Sequence, residues 1–79
     1  MSPTVFRESG YRFFFFSREE TRMHVHVISA EGEAKFWLEP DIALAKSYHY
    51  SAKELKGIES IIEAHHDELI GAWRRHFNG

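Results

Sequence analysis

The chain has no cysteine, and that absence removes three chemistries at once. No disulfide staples it, no thiolate holds zinc, and no thiol serves as a nucleophile, a composition that fits a reducing compartment. Long apolar runs are also missing, so no segment reads as crossing a bilayer. The opening MSPTVFRESG lacks the basic stretch followed by an apolar one that marks a secretion signal. The expectation is a soluble, cytoplasmic protein without membrane contact. Charge of one sign is not in excess either. Ten Lys and Arg stand against twelve Asp and Glu, a formal net charge of -2. A nucleic-acid binder of this composition must gather its cations on one face, because the overall balance gives no long-range attraction to phosphate. Two prolines, five glycines and no repeat or low-complexity tract leave no linker, and 79 residues make one domain. A core of that size yields net stability on the order of a few kcal/mol, so help must come from close packing or from a partner.

What is present is aromatic and β-branched. From Thr4 to Leu38 the runs TVFRE, YRFFFFS, MHVHVIS and EAKFWL favour strands. Ser9-Gly10 and Glu31-Gly32 read as two-residue links, each placing Gly where hairpins often need positive φ, and the longer REET connection, Arg18 to Thr21, joins the second and third strands. An antiparallel meander follows. Pro40 ends the fourth run. DIALAKSYHY reads either as a loop with a short fifth strand around Ile42 to Ala45 or as a single helical turn. SAKE then carries a capping-box signature, Ser51 with Glu54, and Leu55, Ile58, Ile62, Leu69, Trp73 and Phe77 recur at helical spacing, widened by Ile61 and Ile70. Unbroken to Phe77, such a helix would be about 40 Å long against about 20 Å for a strand. Either it breaks near AHHD, with Asp67 capping a second helix, or its far end packs outside the meander. The fold class is therefore α+β: a sheet over 3–38 with four strands and room for a fifth, a connecting segment over 39–50, and a long or broken helix over 51–77.

Alternation sorts the strands into two faces. Val25, Val27, Phe36 and Leu38 form the natural seat for the helix. The second face collects His24, His26, Lys35 and Trp37, one of the two phenylalanine pairs of FFFF, and Arg12. One helix cannot cover both faces. Burying a phenylalanine gains roughly 2 to 3 kcal/mol, so two of them and Trp37 left wet would forgo several kcal/mol in a domain with little margin. A second protein surface is the expected cover, with the 39–50 segment folded across as the plainer alternative.

His24 and His26, at i and i+2 on a strand, project side by side as two of three zinc ligands do, but His49, His65, His66 and Glu33 offer no diagnostic third spacing. No metal and no cofactor are assigned. A metal-free ribonuclease uses the same residues differently: one imidazole takes a ribose hydroxyl proton, the other protonates the leaving oxygen, Lys35 or Arg12 stabilises charge on phosphorus, and Trp37 with an exposed phenylalanine stacks bases. On the helix His65 continues the apolar stripe as an interior residue, which leaves His66 facing solvent. Arg74, Arg75 and His76 complement the carbonyl end of the helix dipole.

At PTVFRESGYRFFFFS, HVHV, GEAKFWLEP and LIGAWRRHF the sequence resembles the small bacterial proteins of the domain of unknown function 4160 family, from Pro3 to Phe77. Its approach to the histidine strand, REETRMH, lacks the prolines of many relatives. The resemblance implies a partner rather than a reaction, since members are often encoded beside a second short protein in an arrangement like a toxin-antitoxin module. The first expectation is a protein-interaction domain, one member of such a two-gene module or a homodimer, that binds through Arg12, Phe14, Phe16, Trp37 and the two histidines. The alternative is an RNA-binding protein or ribonuclease using His24, His26 and Lys35.

Overall fold

The computed structural model describes residues 4–16 and 22–78, the Asn78 side chain apart. The expected REET connection lies outside these residues. Five strands, β1 (Thr4–Glu8), β2 (Tyr11–Phe14), β3 (His24–Ile28), β4 (Glu33–Trp37) and β5 (Ala43–Tyr48), form one antiparallel sheet in sequence order. Two helices follow, α1 (Ala52–Ala64) and α2 (His66–Asn78). The fifth strand is the one the sequence allowed for, set slightly later than Ile42 to Ala45. Because it extends the sheet in plane, the 39–50 segment does not fold across the second face. No helix among the described residues is long and apolar enough to cross a membrane.

Two of the links show why their glycines are there. Ser9 and Gly10 have φ of 54° and 85°, so both central residues of the two-residue hairpin are left-handed, the backbone that matches strand twist. The β3–β4 link is longer than the expected Glu31-Gly32 pair. Ile28 pairs with Glu33, and the Ser29 amide donates to the Gly32 carbonyl at 3.0 Å, which closes a four-residue loop over 29–32. Gly32 serves close approach there rather than positive φ, since a Cβ on it would strike the Tyr48 carbonyl of β5. The Tyr50 hydroxyl donates to the Gly32 carbonyl at 2.8 Å and ties the same loop to the start of the helices.

Both outer strands carry an extra residue. Thr4 pairs with Phe14 but Phe6 with Phe13, so Val5 bulges from β1; Lys35 pairs with Lys46 but Phe36 with Leu44, so Ala45 bulges from β5.

The capping box forms as its residues dictate: the Glu54 amide donates to Ser51 Oγ at 3.1 Å, and the Ser51 amide to Glu54 Oε1 at 2.8 Å. The helix then breaks at His65. Its amide reaches the Ile61 and Ile62 carbonyls at 3.1 Å each, while its own carbonyl accepts from the Leu69 amide at 2.9 Å and opens α2. Asp67 lies with Glu68 in the first turn of α2 rather than at its cap, where both carboxylates still favour the dipole. The break lets two short helices lie back over the sheet, so the overhang of an unbroken rod does not arise, and Ile58, Ile62, Leu69 and Trp73 bury against Phe13, Phe15, Val25, Val27, Phe36 and Leu38. Phe13 and Phe15 are thus the pair that the helices shelter.

Candidate functional site: the outer face of the sheet

Phe14 and Phe16 point the other way, and register aligns what they meet. Phe14 pairs with His26, His26 with Lys35, and Lys35 with Lys46, so one row crosses β2 to β5. A second row runs Arg7, Arg12, Ile28, Glu33 and Tyr48. A third pairs His24 with Trp37. Of the residues expected from the sequence to bind or react, Arg12, Phe14, Phe16, His26, Lys35 and Trp37 lie on this face, whereas His24, on the same side of β3, is sealed from it against Trp73 of α2.

They are packed in layers of ring and cation. The Arg12 guanidinium lies 4.5 Å over the Phe14 ring while its Nε donates to Thr4 Oγ1 at 2.6 Å. Arg22 and Lys35 lie 4.2 and 4.6 Å from the Trp37 ring. The His26 ring stacks at 5.5 Å on Phe14 and meets Phe16 edge-on at 4.3 Å. Flat cations over ring faces gain from the quadrupole and shield the apolar surface. Phe14 is accordingly only 7% exposed, not wet as the sequence suggested, and Trp37 is half-buried. Phe16, by contrast, is 44% exposed and Tyr48 52%. Between them runs a groove of about 320 Å³ lined by Phe14, Phe16, His26, Glu33, Lys35, Lys46 and Tyr48.

The two histidines differ. His24 is fully buried, its ring 5.1 Å from both His26 and the Trp73 indole of α2. Its Nδ1 donates to the Arg22 carbonyl at 2.7 Å, since a carbonyl can only accept, and this fixes where that proton sits. His26 lines the groove. Of the further residues weighed as ligands, His49 sits in the turn after β5 with φ 68°, beside the 29–32 loop. Among the described residues no cluster of three or more His, Cys, Asp or Glu is placed to hold a metal.

On the helices both histidines are half-buried, so His66 does not face solvent as expected and His65 lies at the margin of the core rather than inside it. His66 is half-buried and its Nε2 donates to the Leu38 carbonyl at 3.0 Å. His65 sits at the helix break on the molecule's flank. Its Nδ1 is 2.7 Å from Glu68 and its Nε2 2.8 Å from Glu8, with the ring stacked 4.1 Å from Phe6. The apolar period put it near the core, but a residue that ends one helix and begins another turns off that stripe. The hydrogen bond to Glu68, then that to Glu8, holds the imidazole above its ordinary pKa.

The sequence reading missed Lys46, Tyr48 and Arg22. The first two belong to a strand whose alternation is interrupted at the Ala45 bulge, so that Lys46 and Tyr48 sit opposite Lys35 and Glu33 while Leu44 pairs with the buried Phe36, and the competing helical reading obscured it further. Arg22 reaches Trp37 across the sheet, and local pattern carries no sign of that.

The model of a family described as domain of unknown function (DUF4160) matches residues 10–74, most of the chain and nearly the whole sheet and helical layer. The chain belongs to the DUF4160 family. No curated protein matches it, and no solved structure does. The DUF4160 match spans β2 to the last turns of α2 and so includes the groove, but leaves out β1 with Arg7.

Proposed function

We propose that this protein is a docking module that holds a negatively charged macromolecule on the outer face of its sheet, and that single-stranded RNA is the occupant this face suits best. The observation that carries the reading is the distribution of charge. Half of the ten cations, Arg7, Arg12, Arg22, Lys35 and Lys46, lie on this one face of a chain whose net charge is -2, and Glu33 is the only carboxylate among its described strand residues. Two cation pairs, Arg7 with Arg12 and Lys35 with Lys46, stand directly opposite across strands and gather positive charge at two points of the face. Rings stand between the two pairs, and bases stack on rings whatever their sequence.

A second reading, the cognate small protein of a bacterial toxin-antitoxin-like gene pair, is favoured by the apolar side chains left open on this face at Phe16, Ile28 and Tyr48. Such a partner would be acidic. Pairing with a second copy through this face sets one cationic surface against another, and like charges meeting across an interface suppress it. A ribonuclease reading uses His26 and Lys35 in the groove, but its second imidazole, His24, would have to act from a buried position.

Fluorescence anisotropy with a labelled mixed-sequence RNA dodecamer tests the proposal. Binding is expected, with a loss of at least tenfold in the Arg12→Glu, Lys46→Glu double variant. Equal affinity in parent and variant would remove the outer face from consideration, and a shortened dodecamer recovered after incubation would restore the ribonuclease.

A further inference from the structure

Glu33 is the anomaly of a cationic groove. It faces the same space as Phe14, Phe16, His26, Lys35 and Lys46, it is exposed, and its row neighbours Ile28 and Tyr48 carry no charge. The ion pairs among the described residues are those of His65, so Glu33 is engaged in none of them. A carboxylate placed among cations without an ion pair to any of them weakens attraction for phosphate. Next to rings that stack bases, it offers an acceptor to the edge of a base.

We propose that Glu33 reads the base held in this groove and selects one with an exocyclic amine, cytosine over uracil. The inference rests on the RNA-docking reading and deepens it. Cytosine N4 presents a donor where uracil O4 presents an acceptor, and the two rings are otherwise alike in size. An ionised carboxylate accepts from the first and repels the second. The cation pairs set the path. Arg12 and Lys35 stand two strands apart and one row apart, roughly 12 Å between backbones from strand geometry. A strand whose phosphates contact both passes its bases over His26 and Phe16, and the base entering the groove from that side meets Glu33 at its wall. Single-stranded RNA is read in this way, by stacking on a sheet and hydrogen bonding along the open base edges.

The test uses the full chain and two labelled decamers, oligocytidylate and oligouridylate, with poly-glutamate as a competitor. Oligocytidylate is expected to bind about fivefold to tenfold tighter, the low end of the range for one directed base contact, as suits a carboxylate open to solvent. Glu33→Gln, at an exposed position, should abolish most of that difference while tightening oligouridylate binding, because a repulsive charge is gone. Equal affinity of the parent protein for both decamers would overturn the role of Glu33 and leave RNA docking standing. Failure to bind either decamer, with poly-glutamate bound instead, would overturn RNA docking itself in favour of an acidic protein. The comparison of decamers on the parent protein does not depend on any variant folding.

Discussion

His65 and Gly32 show how much one residue decides here. A neutral imidazole has one N–H, yet His65 meets a carboxylate oxygen at each ring nitrogen, and both contacts are hydrogen bonds only when the ring carries two protons. Its folded pKa is raised above the ordinary value of about 6.5, by Glu68 first and Glu8 second. A raised cationic pKa gives stability that is fully present below the unfolded value and is lost as pH rises through the folded one. Stability is therefore expected to decline above about pH 6.5 in the parent and to decline less in Glu8→Gln; urea denaturation across pH 5.5 to 8.5, with the His65 titration followed by NMR, checks both. A ring that titrates at the ordinary value in parent and variant alike would contradict this. Gly32→Ala should cost about 1 to 3 kcal/mol through collision of the new methyl with the Tyr48 carbonyl, the range typical of overpacking, and urea midpoints measure it. The sequence marked Gly32 as special for the wrong reason. It showed a turn, but the approach of β5 is a tertiary fact that no local pattern holds.

The elements were legible where a local rule and the packing agree. The Ser9-Gly10 hairpin and the Ser51–Glu54 box follow from two or four residues acting on their own backbone, and both form as their chemistry requires. Ser51→Ala should cost about 1 kcal/mol, seen as a lower Tm with the same fold by circular dichroism. The helix break was legible only as a length argument, that an unbroken rod would outrun the sheet. Which residue yields was not, because His65 fits the apolar period of Ile58, Ile62 and Leu69 while its side chain pairs with Glu8, 57 residues away in sequence. The same limit applied to β5, whose Ala45 bulge breaks the alternation that reveals strands. Leu69→Ala, in the first turns of the second helix and fully buried, should cost about 2 to 5 kcal/mol; a much smaller loss in urea would mean that α2 is not packed as described.

At the scale of the molecule, composition and arrangement point in opposite directions. A net charge of -2 reads as indifferent to polyanions, yet the fold sorts its charges so that one surface is cationic and ring-lined. Alternation foretold which residues share that surface, because it needs only the period of a strand. It could not foretell that Arg12 would cover Phe14 or that His24 would be sealed beneath Trp73, because those depend on a neighbouring strand and on the second helix. If RNA is the occupant, log affinity should fall with log salt with a slope of about -3, as expected for four phosphates engaged by Arg7, Arg12, Lys35 and Lys46; a slope near zero in a salt titration would leave only stacking. Phe16→Ala should weaken binding with little change in Tm, since that ring is open to solvent and contributes little to the core.

Val5 and Ala45 bear on how such a molecule keeps company. A margin kinked by a supernumerary residue offers a poor template for another chain to lengthen the ribbon sideways. With both margins spoiled in this way, recruitment by strand addition is discouraged from left and right alike. A visitor must settle from above, onto rings and charges, and what it recognises is then side chains rather than backbone.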